Sequence, residues 1–356
     1  MHPASQPPGV TNSVQGFLGL SMARRRTACE ETQARMRLRA ASVEKDFWVC
    51  WTLRELFSLP DVGPRLTFKG GTSLAKAWKL IERFSEDIDV VIDRDFLGYG
   101  GDASPDAAPS RKKRSQKLDE LRAACRQYIG DSLTPALRER ITQTLGPADA
   151  NGWSLGSDPA DADGQTLLLR YPAAFDGGGY VAPAVKIELG ARSDIDPADA
   201  PLIEPYLAQT FPNLLGDSRF AVRTLAARRT FWEKAMLLHE ETYRPADKLR
   251  GRFMSRHYYD LWCMIRQGVA DEARADEGLF ERIAAHRKVF FRYNWMDYGT
   301  LQPGTIRMVP LPVQRAAWEQ DYAAMREAMF FGEAPEFAEI LRVVGELEQQ
   351  LNAGRA

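Results

Sequence analysis

Apolar residues recur at spacings of three and four through Val43, Phe47, Val49, Cys50, Leu53, Leu56 and Phe57, the pattern of a helix face packed on a core. Helical character starts near Thr27 and is expected to continue as one segment to Phe57. Pro60, Gly63 and Pro64 end it. The period then changes. Leu66 to Phe68 reads as a short strand, followed by Gly70-Gly71 and a helix expected from Thr72 to about Glu82. Ile88 to Ile92 reads as a second strand with Asp89 inside it, and Thr166 to Tyr171 and Ala184 to Leu189 as two more. Residues 98–110 and 151–165 have loop composition, and a charged helix is expected from Arg111 to Ile129. Beyond Pro201 the pattern is helical, most clearly over Ala221 to Glu241 and His257 to Arg266. Trp295, Tyr298, Trp318, Tyr322, Phe330 and Phe331 fall in helical or loop settings, and no internal repeat is visible.

This order of elements predicts an α+β fold, a mixed sheet with helices flanked by helical units. The expected divisions are a loose leader over 1–20, N-terminal helices over 21–60, a core over 61–200 and a helical domain over 201–356. Hydrophobic residues at 44% and charged residues at 27% exclude wholesale disorder. A net charge of −1 excludes a uniformly basic nucleic-acid coat, so any such contact must be local. Arg111, Lys112, Lys113 and Arg114 form a cluster of four basic residues. Such a run is most often solvated, and its functional reading is a contact to an RNA backbone. No run of about 18 apolar residues suggests a membrane span. Cys29, Cys50, Cys125 and Cys263 form no CxxC pair, which argues against a zinc site or a disulfide framework. A polar, proline-rich start shows no secretory signal, so a reducing, cytoplasmic address is expected.

The chemistry concentrates in Lys69-Gly70-Gly71-Thr72-Ser73 and Phe84-Ser85-Glu86-Asp87-Ile88-Asp89. A strand that runs through two glycines into a helix lets backbone approach a ligand closely, and the helix start offers N–H groups to phosphate. Gly-Gly alone is weak evidence. Asp87 and Asp89 are two apart, so on a strand both point to one face. They would repel each other unless a cation sat between them, and hard ions such as Mg²⁺ favour oxygen ligands together with substrate phosphates. Val90, Val91 and Ile92 continue as a buried run, which speaks against a solvated edge. Val185-Lys186-Ile187-Glu188-Leu189 alternates, so Lys186 and Glu188 share a face. If that strand lies beside Asp89, Glu188 becomes a third carboxylate of a two-metal site. A polar outer face is the competing reading.

These segments resemble the first motif of the DNA polymerase β-type nucleotidyltransferases, and within that superfamily they are most similar to the AbiEii/AbiGii toxin family. Three further segments carry the resemblance. Val43-Glu44-Lys45-Asp46-Phe47-Trp48 resembles the family's N-terminal helix, and Phe231-Trp232-Glu233-Lys234 its lysine motif. Arg256-His257-Tyr258-Tyr259-Asp260-Leu261 resembles its late Arg-Asp-x-x-Asp element, with His257 in place of the usual acid. The resemblance spans about residues 40–265. It implies a polymerase β-like nucleotidyltransferase core and transfer of a nucleoside monophosphate from an NTP to an acceptor hydroxyl. In that reading Asp87, Asp89 and Glu188 hold Mg²⁺ or Mn²⁺. Lys69, Gly70, Gly71, Thr72 and Ser73 bind the nucleotide, and Lys234 neutralises phosphate. The favoured acceptor is a tRNA 3′ end, the setting a toxin–antitoxin or phage-defence pair, and the partner an antitoxin encoded nearby.

Other readings stand beside it. The same site could modify a protein hydroxyl or phosphorylate, or the fold could be a scaffold that binds without turnover. Asp260 lies among Tyr258, Tyr259, Leu261 and Trp262, where an unpaired carboxylate is costly, so it needs Lys234 or Arg256 as partner. Of Glu44, Lys45 and Asp46, any two are expected to be solvent-exposed by default. The resemblance implies that at least one folds over the site. His239, His257 and His286 lack metal-ligand spacing and read as structural.

Overall fold

The computed structural model describes residues 15–36, 38–175, 182–216, 218–330 and 333–353. Most of the expected leader, and Phe331, lie outside them. Nine strands are present among the described residues: β1 (Leu66–Lys69), β2 (Ile88–Ile92), β3 (Ser154–Ser157), β4 (Thr166–Arg170), β5 (Ala184–Gly190), β6 (Ala198–Asp199), β7 (Leu202–Ile203), β8 (Phe220–Ala221) and β9 (Thr224–Leu225). Seven form one sheet in the order β3-β4-β5-β2-β1-β9-β6, and β7 and β8 pair separately. The sheet is mixed. β2 runs antiparallel to β1 and parallel to β5, while β4 is antiparallel to both β3 and β5. The architecture is α+β, as the order of elements predicted.

Alternation along β2 explains how the sheet is used. Ile88, Val90 and Ile92 face one side, and with Leu66, Phe68, Val185 and Ile187 they join a core built from the N-terminal helices and the helices that follow Arg111. Asp89 and Val91 face the other side. A second core gathers Phe231, Leu238, Tyr258, Leu261, Trp318 and Ile340 from the C-terminal helices. Leu74 and Ile81, from the segment between β1 and β2, belong to this second core, so that segment bridges the two.

The expected single helix from Thr27 to Phe57 is instead two, Met22–Met36 and Ala40–Phe57. The second is buried at every position from Ser42 to Leu53, because it packs against the first helix, β5 and the helices Thr134–Leu145 and Tyr206–Thr210. A helix buried all round has no polar face for periodicity to reveal. Glu44, Lys45 and Asp46 are therefore all buried, against the expectation of exposure. Each has a partner. Lys45 pairs with Glu86 and Asp46 with Lys76, each at 2.7 Å, and Glu44 accepts from the Ala174 N–H at 2.7 Å.

Three other expectations are corrected. The helix after β1 spans only Gly70–Lys76, and the chain turns at Lys79, whose φ is 56°. The region from Ala221 holds β8 and β9 before its helix begins at Ala227. The loop-like stretch 151–165 contains β3, an edge strand whose alternating exposure and polar Ser-Leu-Gly-Ser sequence resemble loop composition.

Candidate active site

Register brings three sequence-distant charges into one row. Lys69 at the end of β1 is paired with Asp89 of β2, and Asp89 in turn with Glu188 of β5. Neighbours across a ladder project to the same face, so the three side chains share the face turned away from the first core. Asp87 lies one residue before β2 begins, at the mouth of the same row. Lys186 is on that face too and pairs with Glu188.

The two glycines make the row possible. Gly70 has φ +79°, and a Cβ there would lie 1.9 Å from Asp89 Oδ2, so only glycine lets the carboxylate rest on the turn. At Gly71 a Cβ would come within 2.6 Å of Arg83 Nη2 and 2.7 Å of Ser85 Oγ. Thr72 Oγ1 and Ser85 Oγ are 3.0 Å apart, and Ser73 Oγ donates to the Gly70 carbonyl at 2.8 Å. The glycine turn and the Ser85–Asp89 segment are thus locked together, with Thr72 and Ser73 buried.

Negative charge in the row is under-compensated. Burial pushes Asp89 up to about 6; Lys69 and Lys234 oppose the shift, while Glu188 and Asp87 add to it. Asp87 is raised as well, by burial first and then by the carboxylates of Glu188 and Glu86. Among the described residues no group of three or more His, Cys, Asp or Glu side chains is placed to hold a metal ion by itself. The donor chemistry nonetheless fits a hard divalent ion, which commonly takes one or two carboxylates and completes its shell with water and substrate phosphate.

Positive charge lies nearby. Asp260 is fully buried, and Arg83 grips it twice, Nε donating to Oδ1 at 2.7 Å and Nη2 to Oδ2 at 2.8 Å. Lys234 Nζ donates to the same Oδ2 at 2.9 Å. Burial alone would raise Asp260; Arg83, then Lys234, outweigh it and hold the carboxyl well below the usual range. Two cations on one carboxylate leave a surplus positive charge. Burial lowers Lys234, only partly countered by Asp260.

Lys234 Nζ also lies 3.3 Å from His257 Nδ1. Burial, then the charges of Lys234 and Arg256, push the imidazole well below its ordinary pKa, so it is a neutral acceptor. Where a carboxylate would have cancelled the lysine, this histidine does not.

Sequence reasoning paired Asp260 with Lys234 or Arg256. Lys234 does pair with it, whereas Arg256 instead donates to the carbonyls of Arg252 and Phe253. Arg83 was missed, since nothing local links it to a residue 177 positions away. Arg111, Lys112 and Lys113 are exposed. His239 and His286 hold backbone groups, Arg307 N–H and the Arg192 carbonyl, in keeping with structural roles. A cavity of about 200 Å³ opens beside the row, between Asp89, Glu188, Gly190, Lys69, Arg192 and Phe291.

Comparison with known proteins adds an independent finding. The model of the family described as nucleotidyl transferase AbiEii toxin, type IV toxin–antitoxin system, matches residues 51–343. No curated protein matches. Among solved structures the chain is similar to MenT4, a nucleotidyltransferase toxin from Mycobacterium tuberculosis, at 17% identity and a TM-score of 0.33, covering 95% of this chain and 100% of that one. The family match covers most of the chain, which therefore belongs to the AbiEii family.

Proposed function

Because the chain belongs to a family of NTP-dependent nucleotidyltransferase toxins of type IV toxin–antitoxin systems, we propose that it transfers a nucleoside monophosphate to a tRNA 3′ hydroxyl, with Asp87, Asp89 and Glu188 holding Mg²⁺ or Mn²⁺. The family implies an antitoxin partner; its identity as a gene encoded nearby, and a role in phage defence, are part of this reading. No helix among the described residues is long and apolar enough to cross a membrane, and a cytoplasmic address goes with a tRNA acceptor.

The observation that carries the reading is the Lys69–Asp89–Glu188 row resting on the glycine turn. Asp87 and Asp89 supply ionised oxygens toward the triphosphate, and Glu188 orients the acceptor hydroxyl and accepts its proton. A divalent ion bound there would supply charge stabilisation to the attacking and leaving oxygens. Lys69 and the Gly70–Ser73 turn face the phosphates. Lys234, held by Asp260 and His257, offers its surplus charge to the departing pyrophosphate. Arg83 acts through Asp260, fixing the carboxylate that positions the lysine. The nucleotidyltransferase core over 61–200 then supplies the carboxylates, and the helical domain over 201–356 supplies the lysine.

Incubation with each labelled NTP, Mg²⁺ and total cell RNA or total protein tests this. Label in tRNA, lost with EDTA and restored by Mg²⁺ or Mn²⁺, is expected. Label moving only into protein would overturn the acceptor, and full transfer in excess EDTA would overturn the metal site.

A further inference from the structure

The segment after the helix Leu279–Phe290 reads Phe291-Arg292-Tyr293-Asn294-Trp295, aromatic residues interleaved with a base and an amide. Phe291 lines the cavity that holds Asp89 and Glu188, and Arg192 lies against its ring at 5.4 Å. Lys69, Asp89 and Glu188 line that cavity while Gly71, Thr72, Ser73 and Lys234 do not, so it reaches from the carboxylate row toward Arg192 and Phe291. Outward from it, Tyr293 is 38% exposed and its ring stacks on Trp295, centroids 4.5 Å apart and planes at 14°. The segment is pinned: Tyr298 Oη accepts from the Tyr293 N–H at 3.2 Å and donates to the Phe291 carbonyl at 3.0 Å.

The basic run reaches the same place. Arg111 donates to Asn294 Oδ1 at 3.3 Å, which sets exposed Arg111, Lys112 and Lys113 beside exposed Arg292.

We propose that Phe291-Arg292-Tyr293-Asn294-Trp295, with Arg111 and its basic neighbours, is the platform on which the single-stranded 3′ end of the acceptor RNA lies, its terminal residue entering the cavity between Arg192 and Phe291. Stacked aromatic rings hold unpaired bases without sequence preference, and basic side chains track the backbone. The inference rests on the RNA acceptor proposed above and names where that acceptor binds.

The test compares full-length Tyr293→Ala and Tyr293→Phe with the unsubstituted protein, measuring KM separately for a single-stranded RNA with a free 3′ hydroxyl and for the NTP. Loss of one base–aromatic stack raises the RNA KM by about 5-fold to 100-fold, with the NTP KM unchanged and Tyr293→Phe close to the original. Arg111→Ala lowers the salt dependence of RNA binding, its log–log slope falling by about 0.7. An unchanged RNA KM in Tyr293→Ala overturns the platform. A rise in the NTP KM alone also overturns it, assigning the surface to the incoming nucleotide. If the unsubstituted protein labels no RNA, the acceptor reading itself fails and the platform falls with it; the two failures are separated by that one control.

Discussion

Two charged clusters meet the glycine turn, Asp89 at Gly70 and Arg83 at Gly71, and they are built on opposite principles. Asp260 is closed: a fully buried carboxylate gripped on both oxygens by Arg83 and again by Lys234. Asp87, Asp89 and Glu188 are open: neighbouring carboxylates whose repulsion Lys69, Lys186 and Lys45 only partly relieve. One cluster ends with surplus positive charge on Lys234 and the other with surplus negative charge. A metal-bound nucleotide carries the complement of both. The difference separates a carboxylate whose charge is taken up within the fold from carboxylates, and one lysine, whose charge is left over.

Removing one carboxylate from each cluster should have opposite consequences. Asp89→Ala is expected to lower transfer by orders of magnitude, because it removes charge stabilisation where charge develops. It leaves folding intact, since like-charge repulsion is relieved. Asp260→Asn is expected to cost about 3–5 kcal/mol of stability, because Arg83 remains buried without its carboxylate. Chemical denaturation and turnover measured on both variants check this. Comparable stability losses would mean that the clusters do not differ in kind.

Lys234→Ala sharpens the positive side. The expected loss is again orders of magnitude in rate, with triphosphate use impaired far more than folding. Lys234→Arg restores part of it. If Asp260 positions the lysine, a cycle with Asp260→Asn measured on turnover is non-additive, the double variant no worse than the worse single. Strictly additive losses would mean that the two act independently.

Acidity tests the negative side more gently. Asp89 is raised to about 6, so the folded protein holds a proton there more tightly than the unfolded chain does. Without metal, stability falls as pH rises from about 4, the unperturbed aspartate range, through the folded pKa, by about 1–3 kcal/mol. Asp89→Asn should flatten that slope. Transfer needs the ionised carboxylate, and a bound divalent ion favours that form, so transfer should decline only below the metal-free value of about 6. The smallest effect is expected at His257. His257→Asp would cancel part of the Lys234 charge and weaken triphosphate binding severalfold, read as a higher KM for NTP.

Much of this was legible in the sequence where chemistry is local. Lys69-Gly70-Gly71 and Asp87-Ile88-Asp89 are contiguous, and the alternation Lys186-Ile187-Glu188 showed which residues share a face. Pairing of β5 beside β2 could only be posed as a condition, and the register supplies it. What escaped depends on contacts between remote segments. Glu44, Lys45 and Asp46 look like a solvated triplet because their partners, Ala174, Glu86 and Lys76, come from elsewhere in the chain. Arg83 is one basic residue in a charged stretch until Asp260 folds against it. The break between Met22–Met36 and Ala40–Phe57 was hidden because the second helix carries apolar residues on every side.

In this proposal the carboxylates of the open cluster wait for a cation, whereas Asp260 of the closed one is already taken up by Arg83 and Lys234. Thermal unfolding at pH 7 in the presence of Mn²⁺ and a non-hydrolysable NTP analogue tests it most directly. The unsubstituted protein is expected to show a rise in Tm that grows with ligand concentration as mass action requires, and that is lost in Asp89→Asn. An equal rise in Asp89→Asn would contradict it.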